Sequence, residues 1–299
     1  PVMSRSIFTA LFSTILLALS ASAEPIEFRD DLGRTIKLDA PATRIAALSH
    51  YAVDPLIEMG TAPIARGDVK FELSEAAKEV HAISVRHSAG PNLEQLAALD
   101  TDLIIVSIVH AGFVDTIEKA VGTPVAVLDP TSFDDLLAEI RLLGTITGHA
   151  EEADSIASRL DESITELLES TPKSTTRVYA LFGAPGAFFA FMPETYLGDV
   201  ISLVGGELVN AGDESKLFRG FSPFSVESAL ASDPDVIVLI SHMAADQQLE
   251  MLARFPGWNA LRAVKNDRVI VLKEHHFVSA PGFHPAEAIK LLQDALNGK

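Results

Sequence analysis

The chain contains no cysteine among its 299 residues. Disulfide bonds and cysteine nucleophiles are thereby excluded, so an exported protein with this sequence must be held together by its hydrophobic core alone. Hydrophobic residues make up 48% of the chain, which is enough for one large domain or two of ordinary size.

Positive charge is also scarce. The sequence has 23 lysines and arginines against 41 aspartates and glutamates, a formal net charge of −18 at pH 7. Such an acidic surface repels nucleic acid and anionic lipid, so we expect no nucleic-acid partner. A solvated acidic surface without specific meaning would give the same balance of charges.

Long hydrophobic runs are missing except near the N-terminus. Arg5 precedes the apolar run Ile7 to Leu19, and the small residues Ala21-Ser22-Ala23 follow it. This is the pattern of a secretory signal peptide, and the run is too short to span a membrane. We expect residues 1–23 to be removed on export. Because no cysteine follows the cleavage site, the sequence predicts a free periplasmic protein, a monomer without a lipid anchor.

The longest helical pattern lies near mid-sequence, from Glu151 to Glu169, where apolar residues recur at three- and four-residue spacing along one face. The segments on either side of it read alike. Leu93 to His110 and Val226 to His242 each begin with a short helix pattern, continue into a buried-strand run and end at a histidine. The sequence therefore predicts an α/β fold of two Rossmann-like lobes with parallel sheets, joined by a single long α-helix. The predicted boundaries are 24–145 for the first lobe, 146–172 for the bridging helix and 173–299 for the second lobe.

At the start of each of these two segments, a glutamate stands two residues after a helix-capping residue. Glu94 follows Asn92, and Glu227 follows Ser225. An acid in the first helical turn gains roughly 0.3–1 kcal/mol from the helix dipole, which alone could account for both. Their equivalent positions in two similar lobes favour a second interpretation, in which a two-fold symmetric partner binds both carboxylates at once.

Histidine is the commonest candidate ligand-binding residue. Six histidines follow the carboxyl ends of predicted strands or lie in neighbouring loops, and in open α/β sheets those ends face the ligand crevice. They could be metal ligands or donors to an anionic chelate. If the protein ligates metal directly, His87, His110 and His242 are the candidates. The six are His50, His87, His110, His242, His275 and His276.

Arginine and aromatic side chains complete the predicted pocket. Guanidinium groups donate hydrogen bonds to carboxylate or hydroxamate oxygens, and aromatic rings pack against a planar or hydrophobic chelate. The candidates are Arg86, Arg219, Tyr51, Tyr196, Phe218 and Phe221.

Four stretches carry a family resemblance over essentially the whole mature chain. RIAALSHYAVDPLIEMG, SVRHSAGPNLEQLAALDTDLIIV, ETYLGDVISLVGGELVN and FSVESALASDPDVIVLISH resemble periplasmic substrate-binding proteins of iron-chelate ABC importers, a group that includes haem- and cobalamin-binding members. The resemblance implies little hinge motion between the lobes. It also implies that Glu94 and Glu227 dock onto arginines of a dimeric permease in the inner membrane.

Two positions depart from the family pattern. Arg86 stands where relatives usually have glycine, and His87 stands about where haem-binding relatives often place a ligating tyrosine. These departures leave the ligand open while keeping the family. The resemblance implies capture of a ferric siderophore-type chelate between the lobes, without a resident cofactor.

Other functions remain open at this point. Haem, cobalamin or a histidine-ligated metal ion could occupy the same cleft, and a sensor that presents its ligand to a receptor would use the same pocket. A secreted metalloenzyme is the competing class. Against it, the sequence has no His-Glu-x-x-His and no Gly-x-Ser-x-Gly motif.

Overall fold

The structure is a computed structural model that describes residues 24–69, 73–86, 88–170, 175–184, 186–215, 219–241, 244–273 and 285–298. The predicted signal peptide, Phe218 and four of the candidate histidines (His87, His242, His275 and His276) lie outside these residues. Across the described chain, no helix is both long enough and apolar enough to cross a bilayer.

A β-hairpin with its turn at Asp31-Leu32-Gly33 opens the described chain. Strands β1 (Ile26–Arg29) and β2 (Thr35–Leu38) pair antiparallel, and Gly33 takes the left-handed conformation that the turn requires (φ 73°). The hairpin docks on the first lobe through its turn.

The first lobe is built around a parallel five-stranded sheet in the order β5-β4-β3-β8-β9. All of its pairings are parallel, as expected when helices cover both faces of a sheet. A separate pair, β6 and β7, is antiparallel. The strands are β3 (Ile45–Ala47), β4 (Ala65–Gly67), β5 (Ala82–Ile83), β6 (Val85–Arg86), β7 (Gly90–Pro91), β8 (Leu103–Val106) and β9 (Val125–Val127). The helices are α1 (Val53–Glu58), α2 (Glu75–Glu79), α3 (Leu93–Ala97) and α4 (Val114–Val121), with 3-10 turns at His50–Ala52 and Ile108–Phe113.

The second lobe contains a six-stranded sheet in the order β13-β11-β10-β14-β15, with β12 also paired to β10. Its strands are β10 (Arg177–Ala184), β11 (Ala187–Phe191), β12 (Glu207–Leu208), β13 (Phe221–Pro223), β14 (Val236–Ser241) and β15 (Val269–Lys273). Its helices are α7 (Tyr196–Leu203), α8 (Val226–Ser232), α9 (Ala245–Ala253), α10 (Arg262–Lys265) and α11 (Pro285–Leu296), with a 3-10 turn at Trp258–Ala260.

The second sheet is parallel only in part. β10, β12, β14 and β15 run parallel, whereas β11 is antiparallel to both β10 and β13. Only two residues separate Ala184 from Ala187, and so short a connection allows only an antiparallel hairpin. The predicted fold class is confirmed, with this antiparallel edge as an addition to it.

Two consecutive helices connect the sheets: α5 (Phe133–Thr147) and α6 (Ala150–Glu169). α6 matches the predicted long helix and packs against both α5 and α11. The two helices approach closely at Gly144, where an added Cβ would lie 2.2 Å from the Cβ of Ala153. A glycine is therefore required at this crossing.

The apolar face of α6 lies in a hydrophobic cluster shared by both lobes. Ile156, Leu160 and Ile164 belong to the same cluster as Ile45 of the first sheet and Val178 of the second. Each further buried methylene contributes roughly 0.8 kcal/mol, so this shared cluster stabilises the lobes jointly. The lobe boundaries given above remain predictions.

Candidate ligand-binding site

A cavity of about 1020 Å³ lies between the lobes and is lined by residues of both. Its first-lobe wall is formed largely where strands of the parallel sheet end. His50 follows β3, Asp68 follows β4, the turn that contains His110 follows β8, and Asp129 comes shortly after β9. This is the edge at which open α/β sheets bind ligands. The volume lies at the upper end of the range for small-molecule pockets, which suits a large ligand.

The second-lobe wall comes from the antiparallel edge of its sheet. Glu194 lies in the loop after β11, and Tyr196 is the first residue of α7. Arg219 comes just before β13, and Phe221 is the first residue of that strand. Phe221 packs against Phe191 with ring centroids 4.7 Å apart. It gives this wall an aromatic surface.

Three carboxyl groups from separate elements meet at the cavity: Asp31 of the hairpin, Asp129 and Glu139 of α5. The Asp31 carboxylate accepts a hydrogen bond from the Asp129 N–H at 2.5 Å, and Asp129 accepts one from the Ile108 N–H at 3.3 Å. Behind them, the hydroxyl of fully buried Tyr51 donates a short hydrogen bond to Glu139. Backbone groups and one phenol thus fix the cluster.

Asp30 explains why Asp31 reaches the cavity. The Asp30 side chain accepts hydrogen bonds from the Val127 N–H at 3.2 Å and from the Arg34 guanidinium at 2.6 Å. Arg34 also donates to the Val125 carbonyl at 2.7 Å, and the Asp31 N–H donates to the Val127 carbonyl at 2.9 Å. These bonds hold the hairpin turn against β9 with Asp31 beside the cavity.

Burial raises the pKa of each of these carboxyl groups. It raises the pKa of Glu139 to about 9, with Asp31 as the next cause, and the pKa of Asp129 to about 6. Loss of water contact raises the pKa of Asp31 as well, against the lowering effect of the Asp129 N–H. At neutral pH Glu139 is therefore protonated, and it shares a hydrogen bond with the Asp31 carboxylate.

Tyr196 contributes a buried hydroxyl group to the site. Its side chain lines the cavity and is 3% exposed, and its hydroxyl has no hydrogen-bond partner among the described residues. Burial raises its pKa above the ordinary value, so the phenol stays protonated. Leaving a buried hydroxyl unsatisfied costs roughly 1–3 kcal/mol, which a ligand in the cavity would offset.

The structure brings together five of the predicted pocket residues, all of which line the cavity: His50, His110, Tyr196, Arg219 and Phe221. Two others lie elsewhere. Tyr51 is fully buried behind the cavity wall, where its hydroxyl is bonded to Glu139, and the exposed Arg86 side chain is outside the cavity lining. Their assignment as ligand contacts stays a prediction that the cavity does not support. The described residues hold no group of three or more side chains arranged to bind a metal ion.

Sequence reasoning missed the acidic residues of the cavity. Asp129 comes shortly after β9, so the rule that selected the histidines would also have found it. Asp31 in a hairpin turn and Glu139 inside a helix give no comparable signal. Their place in the site depends on how the hairpin and α5 pack on the sheet.

The two candidate docking glutamates occupy matching positions. Glu94 and Glu227 are exposed and lie in the first turn of α3 and α8, respectively. In each helix the preceding cap, Asn92 or Ser225, accepts a hydrogen bond from the backbone N–H three residues later, at 3.1 and 3.0 Å. Local capping therefore fixes the helix start and leaves both carboxylates exposed.

The match between the lobes extends to the turns that follow these helices. Asp102 accepts a hydrogen bond from the Arg44 N–H at 3.0 Å, and Asp235 accepts one from the Arg177 N–H at 2.9 Å. Both arginine side chains also donate to carbonyls at the end of the neighbouring helix. Each residue of the first lobe stands 133 positions before its counterpart (44 and 177, 102 and 235). The two segments that resemble each other in sequence thus form the same hydrogen bonds in both lobes.

Residues 45–275 match the periplasmic binding protein family, and the chain belongs to that family. It is therefore a binding protein and not an enzyme, as predicted. The family match, and not the lack of any catalytic group, decides between these classes.

Individual relatives are distant. The Fe(3+) dicitrate-binding periplasmic protein FecB of Escherichia coli is 26% identical over 286 residues, which cover 93% of this chain and 92% of FecB. A cobalamin-binding protein of Halobacterium salinarum is 22% identical over 220 residues, 73% of this chain, and the chain spans only 59% of that relative's length. Among solved structures, an ABC transporter substrate-binding protein of Listeria monocytogenes superposes with a TM-score of 0.74 at 24% identity, covering 86% of this chain and 99% of that one. The structural likeness shows the fold.

Proposed function

We propose that this protein captures a ferric siderophore-type chelate in the cavity between its lobes and delivers it to an ABC importer permease. The observation that carries the proposal is the cavity itself. It has a volume of about 1020 Å³, both lobes line it, and the phenol of Tyr196 has no hydrogen-bond partner among the residues that the structure describes. A hexadentate chelate fills the coordination sphere of its iron, so the protein needs only shape, aromatic surface and hydrogen bonds. The dicitrate-binding relative supports an iron chelate as ligand.

We further propose that the protein acts in the periplasm after removal of residues 1–23, as a monomer without a lipid anchor. In this proposal Glu94 and Glu227 bind a permease dimer, one through each lobe. Both carboxylates are exposed and neither lines the cavity, so docking and ligand binding use separate surfaces.

The ligand class is tested by an absorption spectrum and native mass spectrometry of protein purified from the periplasm. A broad visible charge-transfer band with the mass of an iron chelate is the expected result. A Soret band would establish haem, and a corrin spectrum would establish cobalamin. Tight binding of bare zinc or nickel would overturn the chelate proposal in favour of a metal-ion binder.

The docking surface is tested by Glu94→Ala, Glu227→Ala and the double variant in a reconstituted transport assay. Glu162→Ala, an exposed glutamate of α6, serves as the matched control. Transport is expected to fall in each single variant and further in the double one, while chelate affinity changes less than about twofold. Loss of chelate binding with intact permease docking would refute the assignment.

A further inference from the structure

The cavity between the lobes is strongly acidic. Seven carboxyl groups of the described chain line it, against one guanidinium group, that of Arg219, and the imidazoles of His50 and His110. The seven are Asp31, Asp68, Asp129, Asp135, Glu139, Glu194 and Glu214.

No lysine or arginine of the described residues forms an ion pair with these carboxyl groups. Ion pairs with lysine or arginine are numerous elsewhere on the described surface, but none involves any of the seven. Instead, several of them accept hydrogen bonds from neutral groups. Asp68 binds the Val85 N–H at 2.7 Å, Asp135 binds the Thr131 hydroxyl at 2.8 Å, and Glu214 binds the Gly220 N–H at 2.7 Å. Such bonds fix the carboxylates in place and leave their negative charge directed at the cavity.

Protonation removes little of this charge. Glu139, with its pKa raised to about 9, is neutral at pH 7. Six other carboxyl groups line the cavity, and Arg219 supplies the one guanidinium group among the described lining residues. A ligand with negative charge would be repelled by the sum of these groups, most strongly where the cavity excludes water. A neutral or positive ligand would avoid that cost.

The second observation is the phenol of Tyr196, which is almost fully buried, lines the cavity and lacks a partner among the described residues. A protonated phenol can donate to a chelate oxygen and also accept from an amide or ammonium N–H. Arg219 can donate hydrogen bonds to the oxygens of a ferric trihydroxamate, whose complex is neutral overall. One guanidinium group is therefore enough to orient a chelate without net negative charge.

We infer that the cavity selects metal chelates of zero or positive net charge, such as ferric trihydroxamates, and discriminates against anionic chelates such as ferric tris-catecholates. The inference rests on the proposed function, since it concerns the charge of the chelate held in the same cavity. It also separates this chain from the FecB relative, because a ferric dicitrate complex carries negative charge.

The test is a matched charge series on one chelate body. A linear ferric trihydroxamate with a terminal ammonium, its N-acetylated form and its N-succinylated form carry net charges of about +1, 0 and −1 with the same iron centre. Their dissociation constants are measured at pH 7.5 and low salt by quenching of tryptophan fluorescence, with calorimetry as a check. Ferric dicitrate, a ferric tris-catecholate, haem and cyanocobalamin complete the panel.

The ammonium and acetyl forms are expected to bind at least about tenfold more tightly than the succinyl form, and added salt should narrow the gap. Equal or tighter binding of the succinyl form, or of the tris-catecholate, would overturn the charge inference while leaving the proposed function intact. If no form of the trihydroxamate binds, the affinities of the other ligands are compared by net charge. Equal or tighter binding of the anionic ones would then overturn the charge inference. If nothing in the panel binds, the proposed function fails and the charge inference fails with it.

Glu194→Gln locates the effect. Glu194 is exposed at the cavity and makes no hydrogen bond within the described chain, so the change removes one charge without disturbing the fold. It should weaken binding of the ammonium form about two- to tenfold more than binding of the acetyl form. Glu250→Gln, an exposed acid of α9 outside the cavity lining, should change neither. Equal effects of Glu194→Gln on both forms would show that the side chain acts by shape and would count against the inference.

Discussion

Replacing Glu139 with glutamine should make the protein less sensitive to alkaline pH. Glu139 is 7% exposed, accepts a hydrogen bond from Tyr51 and has a pKa of about 9 against an ordinary value of 4.5. Between those two values the carboxyl group is protonated in the folded chain and ionised in the unfolded chain. The stabilisation that this proton allows is therefore complete below about pH 4.5 and is lost as pH rises through about 9.

The size of the effect follows from proton linkage. One proton taken up on folding changes the free energy of unfolding by about 1.4 kcal/mol per pH unit, so stability should fall by about 2 kcal/mol between pH 7 and 8.5. Asp129, whose pKa is raised to about 6, has the same sign but acts mainly below this window. Glutamine can keep both hydrogen bonds, because its carbonyl accepts from Tyr51 and its amide donates to Asp31.

The measurement is urea unfolding at pH 6.5, 7.5 and 8.5, followed by circular dichroism and by the fluorescence of Trp258, the single tryptophan and a buried one. The difference between Glu139→Gln and the unaltered protein should grow by about 1.4 kcal/mol per pH unit. The control Glu162→Gln, on the exposed face of α6, should run parallel to the unaltered protein. Parallel behaviour of Glu139→Gln itself would mean that Glu139 is ionised in the folded state, and the linkage argument would be refuted.

Three further outcomes follow from the structure. Gly144→Ala should lower the free energy of unfolding by about 1–3 kcal/mol, because the new Cβ would lie 2.2 Å from the Cβ of Ala153. The control Gly112→Ala has open space around its new Cβ and should change that free energy by less than about 0.5 kcal/mol. Equal effects of the two variants in urea unfolding would contradict this prediction. Tyr196→Phe should raise the stability of the ligand-free protein by up to about 1 kcal/mol in thermal unfolding, because it removes a buried hydroxyl without a partner among the described residues. The same change should weaken chelate binding about tenfold in a titration. An unchanged affinity would show that the hydroxyl does not contact the chelate. Small-angle scattering should give nearly the same radius of gyration with and without chelate, since a continuous helix between the lobes resists hinge bending, and marked compaction would count against that helix as a bridge.

The fold could be predicted well because its signals are local and repeated. The three- and four-residue spacing of apolar residues located α6 to within one residue, and the repeated pattern of Glu94 and Glu227 identified two similar lobes. The antiparallel edge of the second sheet was missed. Only two residues separate Ala184 of β10 from Ala187 of β11, and so short a connection indicates an antiparallel hairpin. A prediction based on alternating strands and helices does not use the length of this connection.

The site could be predicted only in part. The rule that strand carboxyl ends face the ligand selected His50 and His110, which line the cavity. Tyr196, Arg219 and Phe221, selected by residue type, line it as well. Whether they bind ligand stays a prediction. Tyr51 shows the limit of that approach, because a tyrosine after a strand can turn into the core and bind a buried acid instead. The acidic character of the cavity arises from side chains contributed by a hairpin, four loops and a helix, and no single stretch of sequence contains it.

The hydrophobic cluster shared through α6 has a consequence for how this protein can be divided or recombined. Ile156, Leu160 and Ile164 belong to one hydrophobic cluster that includes core residues of both sheets. A fragment cut on either side of α6 would therefore expose an apolar surface that its own residues cannot cover. Thermal unfolding of the whole chain should accordingly proceed in one cooperative step. Chimeras that exchange a lobe with a relative would fold only if the matching face of α6 travelled with it. New ligand specificities are then more accessible through the loops around the cavity than through exchange of whole lobes.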